Sequence, residues 1–424
     1  VGPSRPPSAA GTSCRSRRMQ VFLGLAGPGL VVMLADTDVG SVITAAQSGA
    51  QWGFRLLWLQ AMLIPVLYVV QELTVRLGVY TSKGHGELIR ETFGQGWAWV
   101  SVAGLMIASV GALITEFSGI VGVGQLYGVP PAVSLTLAAG LLLLVVYTGS
   151  YARVERLAIA LGLFELAFVA VACYAHPSAG HVLAGLSSAP FHDSHYLYLI
   201  GANIGAVIMP WMVFYQQSAV TDKQLQPRHL RAARWDTALG AIITQLIMAA
   251  VLVSAAVVLD RQKGPTPALN TVGEISHALT PVLGEHLGRT TFALGVIGAA
   301  MVSAIVVSLA CAWGLGEVTG YRHSLSHQPR QAPWFYVIYT LAVIAGALTV
   351  GLANNLVTLS IAVEVVNALL LPLVLGFLLA LTFRALPVDA RPRGVYAWTV
   401  TVTILLVSAL GVVSGIAGVS GWGS

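Results

Sequence analysis

Two acids interrupt an otherwise apolar stretch near the start of the chain. The stretch reads GPGLVVMLADTDVGSVITAAQSGA, with Asp36 and Asp38 followed by Gly40. A carboxylate at the centre of a lipid bilayer is expensive and is rarely kept without a cation or a proton. Asp38, beside a glycine where the backbone can open, is the first candidate for a cation ligand, with a protonated structural acid as the alternative. Asp36 either lines an aqueous path or is satisfied by backbone amides.

A second apolar stretch contains a proline at its centre. It reads LIGANIGAVIMPWMVF, with Met209 directly before Pro210. Proline breaks the hydrogen-bond ladder of a helix, and the carbonyls that it releases can coordinate a cation. A thioether is a soft ligand that favours Mn, Fe or Cd over Mg and Ca. The alternative is that Met209 only fills the core, as methionine commonly does.

A further acid, Glu364, lies in an apolar stretch eight residues before Pro372. Asn367 is one helical turn away and shares its face. Together with Asp38, Glu364 would form a two-carboxylate site, which suits a divalent cation better than a neutral solute. A purely structural role for Glu364 is equally open.

The composition determines what kind of element must position these residues. Of the 424 residues, 56% are hydrophobic and only 9% are charged, which is too little polar side chain to cover a water-facing surface. The three cysteines form no motif. No HExxH, paired Gly-Asp or Ser/Lys constellation accompanies the acids. We therefore expect an integral membrane protein that is not an enzyme and has no cofactor.

Eleven apolar segments follow the polar start of the chain. They cover about 21–49, 56–80, 97–126, 131–149, 157–175, 196–219, 237–259, 290–316, 334–352, 355–382 and 395–419. With the N-terminus in the cytoplasm, 18 of the 22 Lys and Arg residues fall on the cytoplasmic side. This asymmetry predicts a multi-pass protein of the cell membrane with a cytoplasmic N-terminus and an external C-terminus.

The polar start and the spacing of the two interrupted segments predict the domain organisation. Residues 1–20 are expected to be a disordered cytoplasmic tail, and translation starts at Val1 or at Met19. Residues 21–424 form a single transmembrane domain. The interrupted segments are the first and the sixth, so they correspond if about 21–175 and 196–382 are inverted five-helix repeats, with 395–419 as an extra helix. Broken helices at matching positions of inverted repeats indicate a substrate site at the middle of the membrane.

Several motifs resemble the NRAMP family of divalent-metal transporters. The run ADTDVGSVITAAQSGAQWGFRLLW is similar to the family's first two spans, and it places Asp38-Val39-Gly40-Ser41 on the Asp-Pro-Gly-Asn motif. GAVIMPWMVF looks like the family's Gly-Ala-x-x-Met-Pro-His segment, which assigns Ala206, through its carbonyl, and Met209 to the metal. The resemblance implies an all-α LeuT-type fold of 11 transmembrane helices, with helices 1 and 6 broken.

The resemblance also gives the remaining site residues a role. Ser41 stands where the family has Asn; it reaches the ion directly or through water, or instead caps the second half of the first span. Glu364 takes the place of a family polar residue, usually Gln, and lies at the site or in its vestibule. Glu116 matches an acid on the family's proton route. The metal-site candidates are thus Asp38, Ala206, Met209, Ser41 and Glu364, and Asp36 and Glu116 are proton-path or vestibule candidates.

Some positions differ from the family pattern. Trp211 stands in place of the histidine after Met-Pro, and Gly119 stands in place of a second acid. The start of the ninth span lacks the arginines that pair with those acids in the family. These differences argue against the proton coupling that the family uses. They make the chain resemble the divergent NRAMP-related branch associated with magnesium, whereas Met209 favours a transition metal.

The resemblance implies import of a divalent ion by alternating access, with Mn²⁺ favoured and Fe²⁺ or Mg²⁺ next. The alternatives are a transporter of amino acids or other organic solutes with the same fold, and a membrane sensor that does not transport. The expected partners are the divalent ion and the lipid bilayer; the sequence indicates no nucleic acid and no protein partner.

Overall fold

The computed structural model is entirely helical wherever it describes the chain. The described residues are 27–148, 151–260, 269, 272–279, 285–325, 327–352 and 355–421. Every regular element in these ranges is a helix, so the predicted all-α class is confirmed. The predicted disordered tail at residues 1–20 and the choice of start residue lie outside the described residues.

The helices before residue 223 include both interrupted segments. They are α1 (Pro28–Asp36), α2 (Val39–Trp52), α3 (Leu57–Thr81), α4 (His85–Phe93), α5 (Gln95–Leu126), α6 (Pro131–Tyr147), α7 (Tyr151–Gly162), α8 (Leu166–Ala175), α9 (Ala179–Leu186), α10 (Ser194–Val207) and α11 (Pro210–Asp222). One 3₁₀ turn, Gly53–Leu56, joins α2 to α3, and another, Leu163–Glu165, interrupts the fifth segment between α7 and α8.

Five of the six helices described after residue 223 have at least 20 residues. The six are α12 (Leu230–Asp260), α13 (Val272–Leu279), α14 (Glu285–Thr319), α15 (Pro333–Leu352), α16 (Leu356–Arg384) and α17 (Gly394–Gly421). Across the described residues, nine helical stretches are long and apolar enough to cross a membrane, and α6 is a shorter apolar helix. The predicted count of 11 spans and the division into inverted repeats stay predictions.

The two halves of the sixth segment lie at the centre of the bundle. Within Ser194–Asp222, which contains α10 and α11, 94% of the most apolar 18-residue stretch is buried inside the protein. In α14 the corresponding share is 89%. In Arg153–Ala175, only 28% of the most apolar 18-residue stretch is buried. A helix that is apolar on all sides belongs in the interior or against lipid. The second break therefore lies inside the protein, whereas the α7–α8 segment lies at the outside of the bundle.

The loops rich in basic residues lie together at one end of the bundle. These loops are 82–84, 223–229, 320–325, 327–332 and 385–393, and we call this end the basic end. The Ser324 hydroxyl donates to Asp222 Oδ1 at 2.5 Å, and the Gly86 amide donates to Glu317 Oε2 at 2.8 Å. Both contacts join loops or helix ends that the predicted topology places on the cytoplasmic side. The side of the membrane that the basic end faces stays a prediction.

A buried histidine fastens α4 to α11 at the basic end. His85 is fully buried, and its Nδ1 donates to the Gln217 side-chain oxygen at 3.0 Å, because that oxygen can only accept. Gln217 in turn donates to the Lys83 carbonyl at 2.9 Å. Burial lowers the pKa of His85 to about 4, so the ring is neutral at pH 7.

We expect low pH to weaken the contact between α4 and α11 that His85 makes. The pKa of His85 is about 4 in the folded protein, and an unfolded histidine titrates near 6.5, so the unfolded state binds more protons between these values. The stabilisation is complete above pH 6.5 and is lost as the pH falls towards 4, which amounts to about 3 kcal/mol. Melting temperatures in detergent at pH 7.5 and pH 5 should differ less for His85→Gln than for the wild type. An equal difference in the two proteins would contradict this account.

Candidate metal-binding site at the two helix breaks

The first break spans two residues, Thr37 and Asp38, between α1 and α2. The Asp38 backbone is extended, and its Oδ1 accepts a hydrogen bond from the Ser41 amide at 2.6 Å. Asp38 thus caps α2, because the first amides of a helix have no intrahelical acceptor. Its Oδ2 is buried and has no hydrogen-bond partner among the described residues. The predicted interruption is confirmed, but it lies before Gly40, which is inside α2.

The second break follows from Pro210. Proline disfavours a helical conformation in the residue before it, and Met209 is extended, with φ −97° and ψ 143°. In a continuous helix the Ala206 carbonyl would accept from the amide of residue 210. A proline has no amide hydrogen, so this carbonyl has no donor within the helix. Ala206 therefore presents a backbone oxygen at the break.

The Ser41 hydroxyl connects the two breaks. Its Oγ lies 3.0 Å from the carbonyl oxygen of Asp36 and 3.0 Å from that of Ala206. A hydroxyl carries one hydrogen, so Ser41 donates to one of these carbonyls at a time. Asp38 occupies the capping position of α2, so the interpretation of Ser41 as a helix cap is wrong. Ser41 instead lies among the carbonyl oxygens that the breaks expose.

Glu364 reaches the first break because two glycines let α16 come close. A Cβ added at Gly40 would overlap the Glu364 carboxyl group, and one added at Gly205 would overlap the Glu364 carbonyl oxygen. Asn367 Nδ2 donates to Glu364 Oε2 at 3.0 Å, as their shared helix face predicted. Glu364 Oε1 is buried and has no hydrogen-bond partner in the described part of the chain. The structure therefore brings Glu364 to the same place as Asp38.

Glu116 and Asp36 complete the group of predicted residues. Glu116 Oε2 accepts from the Val39 amide at 3.4 Å, so this acid touches the start of α2. Both Asp36 carboxyl oxygens and Glu116 Oε1 are buried, and within the described ranges they have no hydrogen-bond partner. The proposal that backbone amides satisfy Asp36 is wrong. All seven predicted residues lie at or beside the two breaks.

The thioether of Met209 is held by its neighbour. Trp211 Nε1 donates to Met209 Sδ at 3.2 Å, and both side chains are buried. The tryptophan that stands in place of a histidine therefore orients the sulfur and occupies one of its lone pairs. The sequence alone gave no sign of this contact.

Sequence reasoning missed one further acid, Glu165. It lies on the 3₁₀ turn Leu163–Glu165, is fully buried, and accepts a hydrogen bond from the Thr37 hydroxyl at the first break. The same hydroxyl contacts the Leu34 carbonyl at 2.7 Å. The signal was present, because an acid within an apolar segment is a functional candidate by default. Glu165 places the fifth segment against the unwound part of the first.

This region is rich in buried acids that lack basic partners among the described residues. It holds the buried acids Asp36, Asp38, Glu116, Glu165 and Glu364. None of them forms an ion pair with a basic side chain in the described part of the chain. Buried carboxylates are normally paired or bind cations. Among the described residues, no three His, Cys, Asp or Glu side chains are arranged to hold a metal, so an ion here also needs carbonyl, thioether or water ligands.

Comparisons with known proteins identify the family of this chain. The family model for natural resistance-associated macrophage protein-like (Nramp) proteins matches residues 29–417. A divalent metal cation transporter MntH from Klebsiella pneumoniae strain 342 is 27% identical over 309 residues, which are 70% of this chain and 73% of that relative.

Solved structures support the fold. The manganese transporter of Eremococcus coleocola superposes with a TM-score of 0.79 at 19% identity, covering 98% of this chain and 90% of that one. A Na⁺-coupled sialic acid symporter superposes with a TM-score of 0.60 at 15% identity, covering 93% of this chain and 88% of that one. The fold is therefore shared with carriers of organic solutes and does not by itself name a substrate. The match over nearly the whole described chain shows that this protein belongs to the Nramp family, whose members are membrane transporters and not enzymes.

Proposed function

We propose that this protein imports divalent metal ions, with Mn²⁺ favoured and Fe²⁺ and Mg²⁺ next. The ion binds between the two breaks, to the free oxygen of Asp38, the carbonyl of Ala206 and the sulfur of Met209. Ser41 and Glu364 contribute directly or through water. The names of the similar proteins, a divalent metal cation transporter and a manganese transporter, support this assignment.

One observation carries the proposal: buried acids surround the breaks with no basic side chain among the described residues to neutralise them. Asp38 Oδ2 and Glu364 Oε1 are both buried without a hydrogen-bond partner there. A divalent cation would neutralise two carboxylates at once and supply the missing partner to both. An amino acid or another anionic solute would bring a carboxylate towards like charges, so the acids argue against the organic-solute alternative.

The choice of Mn²⁺ rests on the mixed ligand set. Carboxylate and carbonyl oxygens alone would suit Mg²⁺ and Ca²⁺ as well as Mn²⁺, whereas a thioether disfavours the two harder ions. Trp211 holds the Met209 sulfur in the site, but its hydrogen bond occupies one of the lone pairs of that sulfur. A partly hydrated Mg²⁺ bound without the sulfur is therefore the nearest competitor.

Alternating access follows from the position of the ion. The half-helices α1 and α2, and α10 and α11, meet at the site, and rocking them against the remaining helices would open it to either side. The predicted topology puts 18 of the 22 Lys and Arg residues on the side of the basic end, so we propose that this end faces the cytoplasm. Ions then enter at the opposite end and leave towards the basic end.

We propose that uptake does not use the family's proton route. Trp211 replaces its histidine, and Gly119 packs so closely on Val39 that an added Cβ would overlap that side chain. There is accordingly no room for a second acid at position 119. A pH-sensitive dye inside proteoliposomes should report no acidification that follows Mn²⁺ entry.

Replacing Met209 tests the ligand set. In proteoliposomes that take up Mn²⁺, Met209→Ala should lower Mn²⁺ uptake and let Ca²⁺ or Mg²⁺ compete about tenfold better, equivalent to about 1.4 kcal/mol of selectivity. Met212→Ala is the matched control, because Met212 is a buried methionine in the first turn of α11, the half-helix that Met209 precedes. Its selectivity should equal that of the wild type.

Two outcomes would revise the proposal. If Mn²⁺ and Mg²⁺ enter equally, whether or not Met209 is present, the ion passes largely hydrated and the sulfur is not a ligand. If no divalent ion enters under any condition, metal transport itself is wrong and the organic-solute alternative is preferred.

A further inference from the structure

One stripe of α3 is exposed on the outside of the bundle. Ala61, Met62 and Pro65 are exposed, and Tyr68 is half-buried. Residues three or four positions apart lie on the same face of a helix, so these side chains form one line, which we call the α3 stripe. Every residue of α3 in the range 69–79 is buried. The α3 stripe therefore ends directly after Tyr68, on the side towards the basic end.

Two arginines share one acid at this end of the α3 stripe. Glu72 lies one turn after Tyr68, and its Oε1 is 2.7 Å from Arg76 Nη2 and 2.7 Å from Arg234 Nη2. Its Oε2 accepts from the Tyr396 hydroxyl at 2.8 Å, so α3, α12 and α17 meet here. We call Glu72, Arg76 and Arg234 the arginine cluster. Two guanidinium groups and one carboxylate leave it with a net positive charge.

The excess positive charge lies on the outside of the arginine cluster. The Arg234 side chain is 36% exposed, whereas that of Glu72 is 1% exposed. Arg234 directs Nε and Nη2 at Glu72, which leaves the two hydrogens of Nη1 for another acceptor. Arg231 lies three residues earlier on α12, is exposed, and forms no ion pair with an acid of the described residues. Two neighbouring guanidinium groups are therefore open to an anion at this surface.

The outer face of α12 shows at which depth of the membrane these arginines lie. Trp235 follows Arg231 by one turn and is 63% exposed. The exposed side chains on the next turns of this face are all aliphatic: Leu239, Ile242 and Leu246. Tryptophan concentrates at the membrane surface, arginine reaches towards the headgroups, and aliphatic side chains face the hydrocarbon. Arg231 and Arg234 thus lie at the depth of the lipid headgroups.

The length of the α3 stripe matches one leaflet of the membrane. Glu72 and Ala61 are 11 positions apart on α3. At a rise of 1.5 Å per residue this is about 16 Å, which is half of the roughly 30 Å hydrocarbon core. A lipid chain that starts at the arginine cluster can therefore lie along the whole α3 stripe and end at the middle of the membrane.

We infer that the arginine cluster and the α3 stripe bind one anionic phospholipid from the leaflet that the basic end faces. Arg231 and Arg234 bind its phosphate, and one acyl chain lies on the α3 stripe. Guanidinium groups suit phosphate because they offer paired hydrogen bonds as well as charge. A zwitterionic phospholipid binds more weakly, because its own cationic group would approach the two arginines. This site is separate from the two breaks and does not depend on which ion the protein carries.

The test titrates lipid into purified full-length protein in detergent and counts the bound molecules by native mass spectrometry at pH 7.5. The lipids are phosphatidylglycerol and phosphatidylcholine with the same palmitoyl and oleoyl chains. We expect the first phosphatidylglycerol to bind at least about fivefold more tightly than phosphatidylcholine, and Arg231→Gln to weaken its binding about fivefold. Arg330→Gln is the matched control, because it removes an exposed arginine from another loop of the basic end and should change nothing.

Two further arms separate the lipid from its headgroup. Glycerol phosphate has the headgroup charge without the chains, and we expect no binding at the same concentrations. Ala61→Trp places bulk on the α3 stripe and should weaken phosphatidylglycerol binding, whereas Ala345→Trp, at an exposed alanine of α15, should not.

Arg231 is exposed and has no ion pair among the described residues, so its substitution tests the inference without disturbing Glu72. The inference is overturned if wild-type protein binds the two phospholipids equally, or if Arg231→Gln weakens binding no more than Arg330→Gln does. It is overturned equally if glycerol phosphate binds as tightly as phosphatidylglycerol, or if Ala61→Trp binds the lipid as well as Ala345→Trp.

Discussion

Asp38→Asn should lower Mn²⁺ uptake by at least about 100-fold, equivalent to about 3 kcal/mol, while leaving the first break intact. Asparagine caps a helix as well as aspartate does, so it can still accept from the Ser41 amide. The substitution removes only the negative charge and an anionic oxygen that has no other partner among the described residues. Initial rates of Mn²⁺ entry into proteoliposomes measure the effect.

A matched control separates charge from capping in this experiment. Asp193 caps α10 by accepting from the His195 and Tyr196 amides, and it does so away from both breaks. Asp193→Asn should therefore transport like the wild type. If Asp38→Asn also transports normally, Asp38 is a structural cap, and the assignment of the metal to the first break fails.

Gly205→Ala should strongly destabilise the protein. The new Cβ would overlap the carbonyl oxygen of Glu364, which belongs to the backbone of α16 and cannot turn away as a side chain can. Relieving the clash forces α10 away from α16, at a cost of about 3 kcal/mol. The melting temperature in detergent should fall, and uptake should fall with it because Glu364 leaves the first break.

Gly376→Ala, on α16, is the control variant, and we expect it not to lower the stability of the protein. Nothing lies within 4 Å of a Cβ at this position, so the methyl group is accommodated. Alanine is the better helix former by about 1 kcal/mol, and the melting temperature should stay equal or rise. A Gly205→Ala protein as stable as Gly376→Ala would show that α10 and α16 do not approach as closely as described.

The sequence predicted the residues at the breaks because each carries a local signal. Asp38 is a charge among apolar residues, and Pro210 cannot continue a helical ladder; both effects act within one turn of chain. The same reasoning failed for Gly40, which was expected to open the backbone. Its actual role, to admit the Glu364 carboxyl group, depends on a helix more than 300 residues later.

Other features depend on pairs that no local pattern reveals. Ser41 bridges two carbonyls that are 170 positions apart in the chain, and Thr37 meets Glu165 across 128 positions. Polarity alone could have indicated Glu165, since it is an acid in an apolar segment. The hydrogen bond from Trp211 to Met209 is local, but it needs the extended backbone at Met209, which brings the indole back over the sulfur.

The contacts of Ser41 with the carbonyls of Asp36 and Ala206 have a consequence for the step of the transport cycle in which no ion is bound. In the transport cycle proposed above, the carrier must return empty before it can load again, and the carbonyls released by both breaks then have no cation to bind. An unsatisfied carbonyl in a dry interior is costly, and that cost would slow the return. The Ser41 hydroxyl lies within reach of both oxygens and can serve either one, so it takes the place of the missing ion. We therefore expect Ser41 to influence turnover as well as ion binding.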